Sequence, residues 1–149
     1  MHARRTFLRA TGAVFALGML PAARAQGALP PVAVYKNPSC GCCGEWVKHM
    51  QANGFRVVTH EVGDVTPIRS KHGVPDALAS CHTALVGGYV IEGHVPAEDI
   101  KRLLREKSKV RGLSVPGMVV GSPGMEQGPP QPYATIAFDE RRSSVFARH

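Results

Sequence analysis

The fold class this chain predicts is α/β, a central mixed sheet with flanking helices. Three observations carry it: short apolar runs bounded by glycine and proline, amphipathic stretches of helical length between them, and a Gly-Gly dipeptide between two β-rich runs. Residues 32–35, which follow Pro30-Pro31 and end at Lys36-Asn37-Pro38, read as a buried strand feeding a turn. Over 44–53, Trp46, Val47 and Met50 recur at helical spacing, and Gly54 supplies a C-terminal stop. Residues 55–60 are a second strand, and 67–72 a short helix closed by Gly73. Strands at 82–86 and 89–91 flank Gly87-Gly88, a tight-hairpin signal.

Pro96 then opens a helix over 97–106, where Ile100, Leu103 and Leu104 form one apolar face and Glu98 and Asp99 suit the helix N-terminus. Strand, helix, strand, helix, hairpin, helix is the order of a thioredoxin-like domain, in which the first loop and the next helix N-terminus hold reactive cysteines. Residues 112–132 are rich in glycine and proline and long for a plain connection, which suggests a functional lid or binding loop. An edge strand is expected over 133–138, and a polar, frayed tail from Asp139.

The first 25 residues read differently. Arg4-Arg5, then Phe7-Leu8, an apolar run over 10–20 and the small-residue pattern Ala23-Arg24-Ala25 form a secretory signal cleaved after Ala25, with the paired arginines pointing to the twin-arginine route. That apolar run falls short of the roughly 20 residues a membrane span needs. The expected product is residues 26–149, one periplasmic domain that does not span the membrane. The full chain carries 18 Lys+Arg against 11 Asp+Glu, net +7; removal of Arg4, Arg5, Arg9 and Arg24 leaves 14 against 11, net +3. Scattered basic residues with few aromatics near them exclude a nucleic-acid stripe.

Three of the four cysteines fall in Cys40-Gly41-Cys42-Cys43, and Cys81 is the fourth. Adjacent cysteines close onto each other only through a strained ring, so the run offers one 1,4 pair, Cys40 with Cys43, and a third sulfur left over. A helix beginning near Cys43 or Gly44 would stabilise thiolates in the run through its free amides and dipole. Cys81 precedes the hairpin, at a strand start that faces the first loop in a thioredoxin-like topology, so it would complete a four-sulfur pocket. Four thiolates hold zinc, and soft thiolates also select Cu(I) or iron–sulfur centres. Structural zinc and iron–sulfur signatures separate their cysteines into pairs, whereas crowded sulfurs suit bridging between several Cu(I) ions. Met118 and Met125 in the glycine-rich loop are thioether donors that suit Cu(I) and not zinc, with loop packing as the alternative. His82 and His94 are auxiliary candidates, either as ligands or as hydrogen-bond partners of sulfur. His49 is a weaker candidate, and His60 and His72 read as surface or capping residues. No serine-centred triad, carboxylate pair or phosphate loop is evident.

The segments Tyr35-Lys36-Asn37-Pro38-Ser39-Cys40-Gly41-Cys42-Cys43, Gly73-Val74-Pro75, Ser80-Cys81-His82-Thr83-Ala84, Gly88 through Pro96, and Gly117-Met118 through Met125-Glu126 resemble the CopG-like copper-resistance family, also called DUF411. The resemblance runs from about Val32 to Phe138. It implies a periplasmic thioredoxin-like protein whose Cys40, Cys42, Cys43 and Cys81 bind a multinuclear copper cluster, with a role in copper homeostasis and copper redox interconversion. Copper ions, and a periplasmic donor or acceptor protein, are the partners it implies. Simple binding or transfer is expected ahead of enzymatic turnover. Two other readings stand beside it: a thiol–disulfide oxidoreductase using Cys40 and Cys43, and a zinc- or disulfide-stabilised binding domain.

Overall fold

The structure, a computed structural model, describes residues 27–149. The signal segment expected over 1–25 lies outside them. Among the described residues, seven strands and three helices follow in the order β1 (Val32–Lys36), α1 (Gly41–Ala52), β2 (Val57–Glu61), α2 (Thr66–Lys71), β3 (His82–Val86), β4 (Tyr89–Gly93), α3 (Ala97–Glu106), β5 (Gly112–Val115), β6 (Ala134–Phe138) and β7 (Ser143–Arg148). A single 3₁₀ turn, Asp76–Leu78, links α2 to β3.

The strands form one mixed sheet in the order β2-β1-β3-β4-β5-β6-β7. β1 runs parallel to β2 and β4 parallel to β5, while the β1–β3, β3–β4, β5–β6 and β6–β7 pairs are antiparallel. Side chains alternate across a strand, so each strand supplies two faces. Val32, Val34, Ala84, Val86, Ile91, Leu113, Val115 and Ala137 pack with Trp46 and Met50 of α1 and Ala97, Ile100 and Leu103 of α3 as the main core. Val90 and Phe138, on the opposite face, pack with Val74 and Leu78 from the segment between α2 and β3. The sheet is therefore covered on both sides, by α1 and α3 on one and by the α2 segment on the other. Among the described residues no helix is long and apolar enough to cross a membrane.

Three expectations are corrected. α1 starts at Gly41, three residues before the start expected at residue 44, which puts Cys42 and Cys43 inside its first turn. Residues 112–115, expected as loop, are a fully buried strand inside the sheet. Gly112 belongs there because β4 passes too close for a side chain: an added Cβ would overlap the Val90 carbonyl. The tail after Asp139 is not frayed, since β7 pairs with β6 and takes the sheet edge expected of 133–138. An irregularity in register at Thr135/Ile136 lets the two strands stay paired to their ends.

Candidate metal centre

Backbone direction decides what meets at one end of this sheet. β1 leaves it at Lys36, β4 at Gly93 and β5 at Val115, while antiparallel β3 enters there at His82. The first turn of α1, the Ser80-Cys81 approach to β3, the His94 exit from β4 and the loop after β5 consequently share one corner.

Cys40 is the N-cap of α1 in extended backbone, and no side chain caps the amides of the first turn. Cys40, Cys42 and Cys43 therefore lie at the positive end of the helix dipole, where the first amides of a helix lack intrahelical partners. Cys40 and Cys43 are joined in a disulfide; Cys42 and Cys81 are free thiols. Cys42 Sγ lies 3.5 Å from Cys40 Sγ and 4.0 Å from Cys81 Sγ. Cys43 Sγ is 3.7 Å from the Cys81 carbonyl oxygen. One sulfur from each of the four cysteines falls within 4.8 Å of the others.

A second group overlaps the first through Cys81. His94 Nε2 is 3.0 Å and His82 Nδ1 3.4 Å from Cys81 Sγ. Both rings are wholly buried, with His82 tilted against Trp46 at 4.5 Å and edge-on to His94 at 5.1 Å. Trp46 is fixed in turn by an Nε1–H bond of 2.9 Å to the Val95 carbonyl. His82 Nε2 is a buried nitrogen with no hydrogen-bond partner among the described residues, an atom left with unused coordinating capacity. Burial pushes the Cys81 thiol up to about 12, helped by its neighbour Cys42. Burial likewise holds His82 down to about 3, reinforced by His94, and lowers His94. The corner thus favours neutral thiol and neutral imidazole, forms that a soft cation would have to deprotonate or can ligate directly.

The loop of residues 116–132 closes over this corner. Gly121 N–H donates to the Met125 carbonyl and Ser122 Oγ to the Val119 carbonyl, which curls the loop on itself. Pro123 accepts from His94 Nδ1 at 2.8 Å. Gly124, at φ +86°, lies so close to α1 that a Cβ there would stand 2.7 Å from the Cys42 carbonyl and 2.8 Å from the Trp46 nitrogen. Met125 is half-buried beside it, whereas Met118 stands outside with 57% of its surface exposed.

Other histidines do different work. His49 Nε2 accepts the Ala97 backbone N–H at 3.0 Å and so satisfies one of the free amides of α3. His60 stacks on Tyr35 at 4.8 Å, and His72 ends α2. Sequence reasoning passed over Arg69 and Glu92, which flank the Cys81 approach. The signal was there: an acidic residue in the apolar strand Tyr-Val-Ile-Glu-Gly implies a buried partner.

Comparison with known proteins places this geometry among relatives. A family model described as "Protein of unknown function, DUF411" matches residues 78–125. A solved structure titled "Copper resistance protein copG- Form 2" is 42% identical, with a TM-score of 0.77 over 81% of this chain and 98% of its own. "Copper resistance protein copG- Form 1" matches at 42% identity and TM-score 0.76 over the same shares. No curated protein matches the chain. With this identity over nearly the whole of those structures, the chain belongs to the DUF411, CopG-like copper-resistance family.

Proposed function

We propose that the reduced protein holds Cu(I) on Cys40, Cys42, Cys43 and Cys81 and serves copper resistance by storing the metal or passing it on. The observation that carries this reading is the convergence of four sulfurs, from two separate stretches of chain, within 4.8 Å. Soft thiolates suit Cu(I) as well as zinc and iron–sulfur centres, and sulfurs this crowded can each bridge two Cu(I) ions, so a multinuclear cluster is the expected cargo. The orphaned His82 Nε2 and the His94–Cys81 contact fit a donor set that extends to imidazole. Met125, beside the site, would add a thioether, and Met118, outside it, would meet copper on entry. The identity to copper-resistance structures supports copper over zinc. The order β2-β1-β3-β4, with β1 parallel to β2 and β3 antiparallel to its neighbours, supports reading the first four strands as thioredoxin-like. Export through the segment 1–25 and residence of residues 26–149 in the periplasm complete the proposal. Any copper donor or acceptor would then be a periplasmic protein.

What the chain's own groups would do follows from their surroundings. Loading requires two electrons and two protons to open the Cys40–Cys43 bond. Cys81, held as a thiol, must then release its proton to bind, and the α1 amides would offset the negative charge gathered on sulfur. Anaerobic reduction, Cu(I) loading, removal of weakly held ions and a count of copper and free thiols test the proposal. More than one copper per chain with four thiols protected is expected, together with a sharp drop in Cys42→Ala. Unchanged copper in that variant would reject the assignment.

The disulfide supports a second reading, thiol exchange. Cys42 Sγ stands 3.5 Å from Cys40 Sγ, close enough for its thiolate to attack that sulfur and release Cys43 as the leaving thiolate. Disulfide exchange with a small dithiol in metal-free protein, lost in Cys40→Ser and Cys43→Ser, is its signature.

A further inference from the structure

A charged pair lies on the face of the sheet opposite α1, and none of its hydrogen bonds goes to a sulfur. Glu92 of β4 is fully buried, and Arg69 of α2 reaches it from the other side. Glu92 Oε1 accepts from Arg69 Nε at 2.8 Å and from the Ser80 backbone N–H at 2.7 Å, and its Oε2 accepts from Thr83 Oγ1 at 2.6 Å. Arg69 Nη2 donates to the Ser80 carbonyl at 2.6 Å. Both peptide groups of Ser80, including the one shared with Cys81, are therefore held by the two charges. The Ser80 hydroxyl donates to the Gly117 carbonyl, and Gly117 N–H donates to the Ala79 carbonyl at 3.0 Å. Residues 79–80 thus tie three things together: the ion pair, the backbone that launches Cys81, and the loop that carries Met118 and Met125.

We infer that Arg69 and Glu92 are positioning residues, which fix Cys81 and the 116–132 loop in register with the Cys40–Cys43 run. Stability alone gives a poor account of them. A buried ion pair seldom outperforms packed apolar side chains, because desolvation cancels much of the attraction. What the pair supplies is geometry: the planar guanidinium fork grips a carboxylate and a carbonyl at fixed angles, which a lysine or a leucine would not do. β3 fixes Cys81 only from its downstream side; upstream, the connection from α2 contains a single 3₁₀ turn, so the direction from which the backbone reaches Cys81 is set by the contacts of residues 79–80. The pair would act on copper by way of Cys81, and to that extent the inference rests on the proposed function.

The test pairs two variants with a control. Arg69→Gln/Glu92→Gln removes both charges without leaving one buried alone; Glu92→Gln is the milder change should the double variant not fold. Asp99→Asn is the control, since Asp99 is a buried acid bonded to Thr135 and His149 on the other face of the sheet. In metal-free protein with the Cys40–Cys43 bond closed, alkylation of Cys42 and Cys81 is followed separately by peptide mass. Cys81 is expected to react several-fold faster in the Arg69/Glu92 variants, with Cys42 and the control unchanged. In reduced, copper-loaded protein the same variants should keep their copper count but lose it about tenfold more readily to a Cu(I) chelator, the usual size of an effect on an outer partner of a metal ligand. Wild-type alkylation and retention in a folded variant would overturn the inference, as would an equal change in Asp99→Asn, which would reduce the pair to general stability. Should the wild type itself retain no copper, the proposed function falls, and the Cys81 alkylation rate decides the positioning role alone.

Discussion

His94 faces two ways: its Nδ1 is 2.8 Å from the Pro123 carbonyl and its Nε2 is 3.0 Å from the Cys81 sulfur. A carbonyl only accepts, so Nδ1 carries the proton and Nε2 presents its lone pair to Cys81, whose S–H donates to it. The loop thereby selects the tautomer that points a basic nitrogen into the sulfur corner. Replacing His94 with Gln should leave the fold intact and weaken copper retention by about tenfold. Chelator competition checks this, and retention equal to wild type would remove His94 from the site.

Gly124 is the point where loop and helix meet most closely. Gly124→Ala would strain the φ of +86° and push a methyl against the Cys42 carbonyl and Trp46 nitrogen. The loop should lift, at a cost of roughly 1–3 kcal/mol in stability. Chemical unfolding would show the loss, and His94 imidazole resonances in NMR would report the broken contact to Pro123. An unchanged spectrum and midpoint would mean that the loop accommodates the methyl by sliding.

Acid should destabilise the copper-free protein before its carboxylates titrate. Burial is the first cause that lowers His49, His72, His82 and His94, with His82 lowest at about 3. In the unfolded chain these groups protonate near 6.5, so below that pH the unfolded state binds more protons and stability falls. Their contribution is complete above about pH 6.5 and is lost progressively as pH drops toward the folded values. At about 1.4 kcal/mol per pH unit, His82 alone would cost about 2 kcal/mol between pH 6.5 and 5. Urea midpoints over that range should fall in the wild type and fall less in His82→Phe, which keeps a ring against Trp46. A flat profile in the wild type would contradict the buried neutral histidine.

Trp46 is the only tryptophan in the chain and packs against His82, next to the sulfurs. Its emission should be quenched as copper is loaded, in step with thiol protection, and the quenching should disappear in Cys42→Ala. Trp46→Ala is expected to cost about 3–5 kcal/mol through the cavity it leaves. Emission indifferent to copper would place the metal elsewhere.

Much of the frame was legible because periodicity and punctuation agreed: Gly87-Gly88 between β-rich runs marks the β3–β4 hairpin, and Pro96 with the Ile100, Leu103 and Leu104 face marks α3. The meeting of Cys81 with the first loop also followed, since element order alone brings them to one end of the sheet. Other elements were hidden for physical reasons. β5 is four residues long and begins with a glycine that close packing demands, so its composition resembles the loop after it. β7 is mostly exposed, so no apolar alternation advertises it. The first turn of α1 holds cysteines and glycines that neither favour a helix strongly nor show its period. His49 and Glu92 owe their roles to partners 48 residues ahead and 23 residues back, beyond any local pattern.

The Cys40–Cys43 bond has a practical corollary. It ties up two of the four sulfurs as a disulfide while Cys42 and Cys81 stay free thiols 4.0 Å apart, so the oxidised chain keeps its fold but would lack half of the thiols that the proposed copper site needs. On the proposed reading, binding capacity is an electron count as much as a residue count. Material handled in air would score as a poor metalloprotein for reasons of redox history, and a stoichiometry quoted without its thiol titre would describe the preparation more than the molecule.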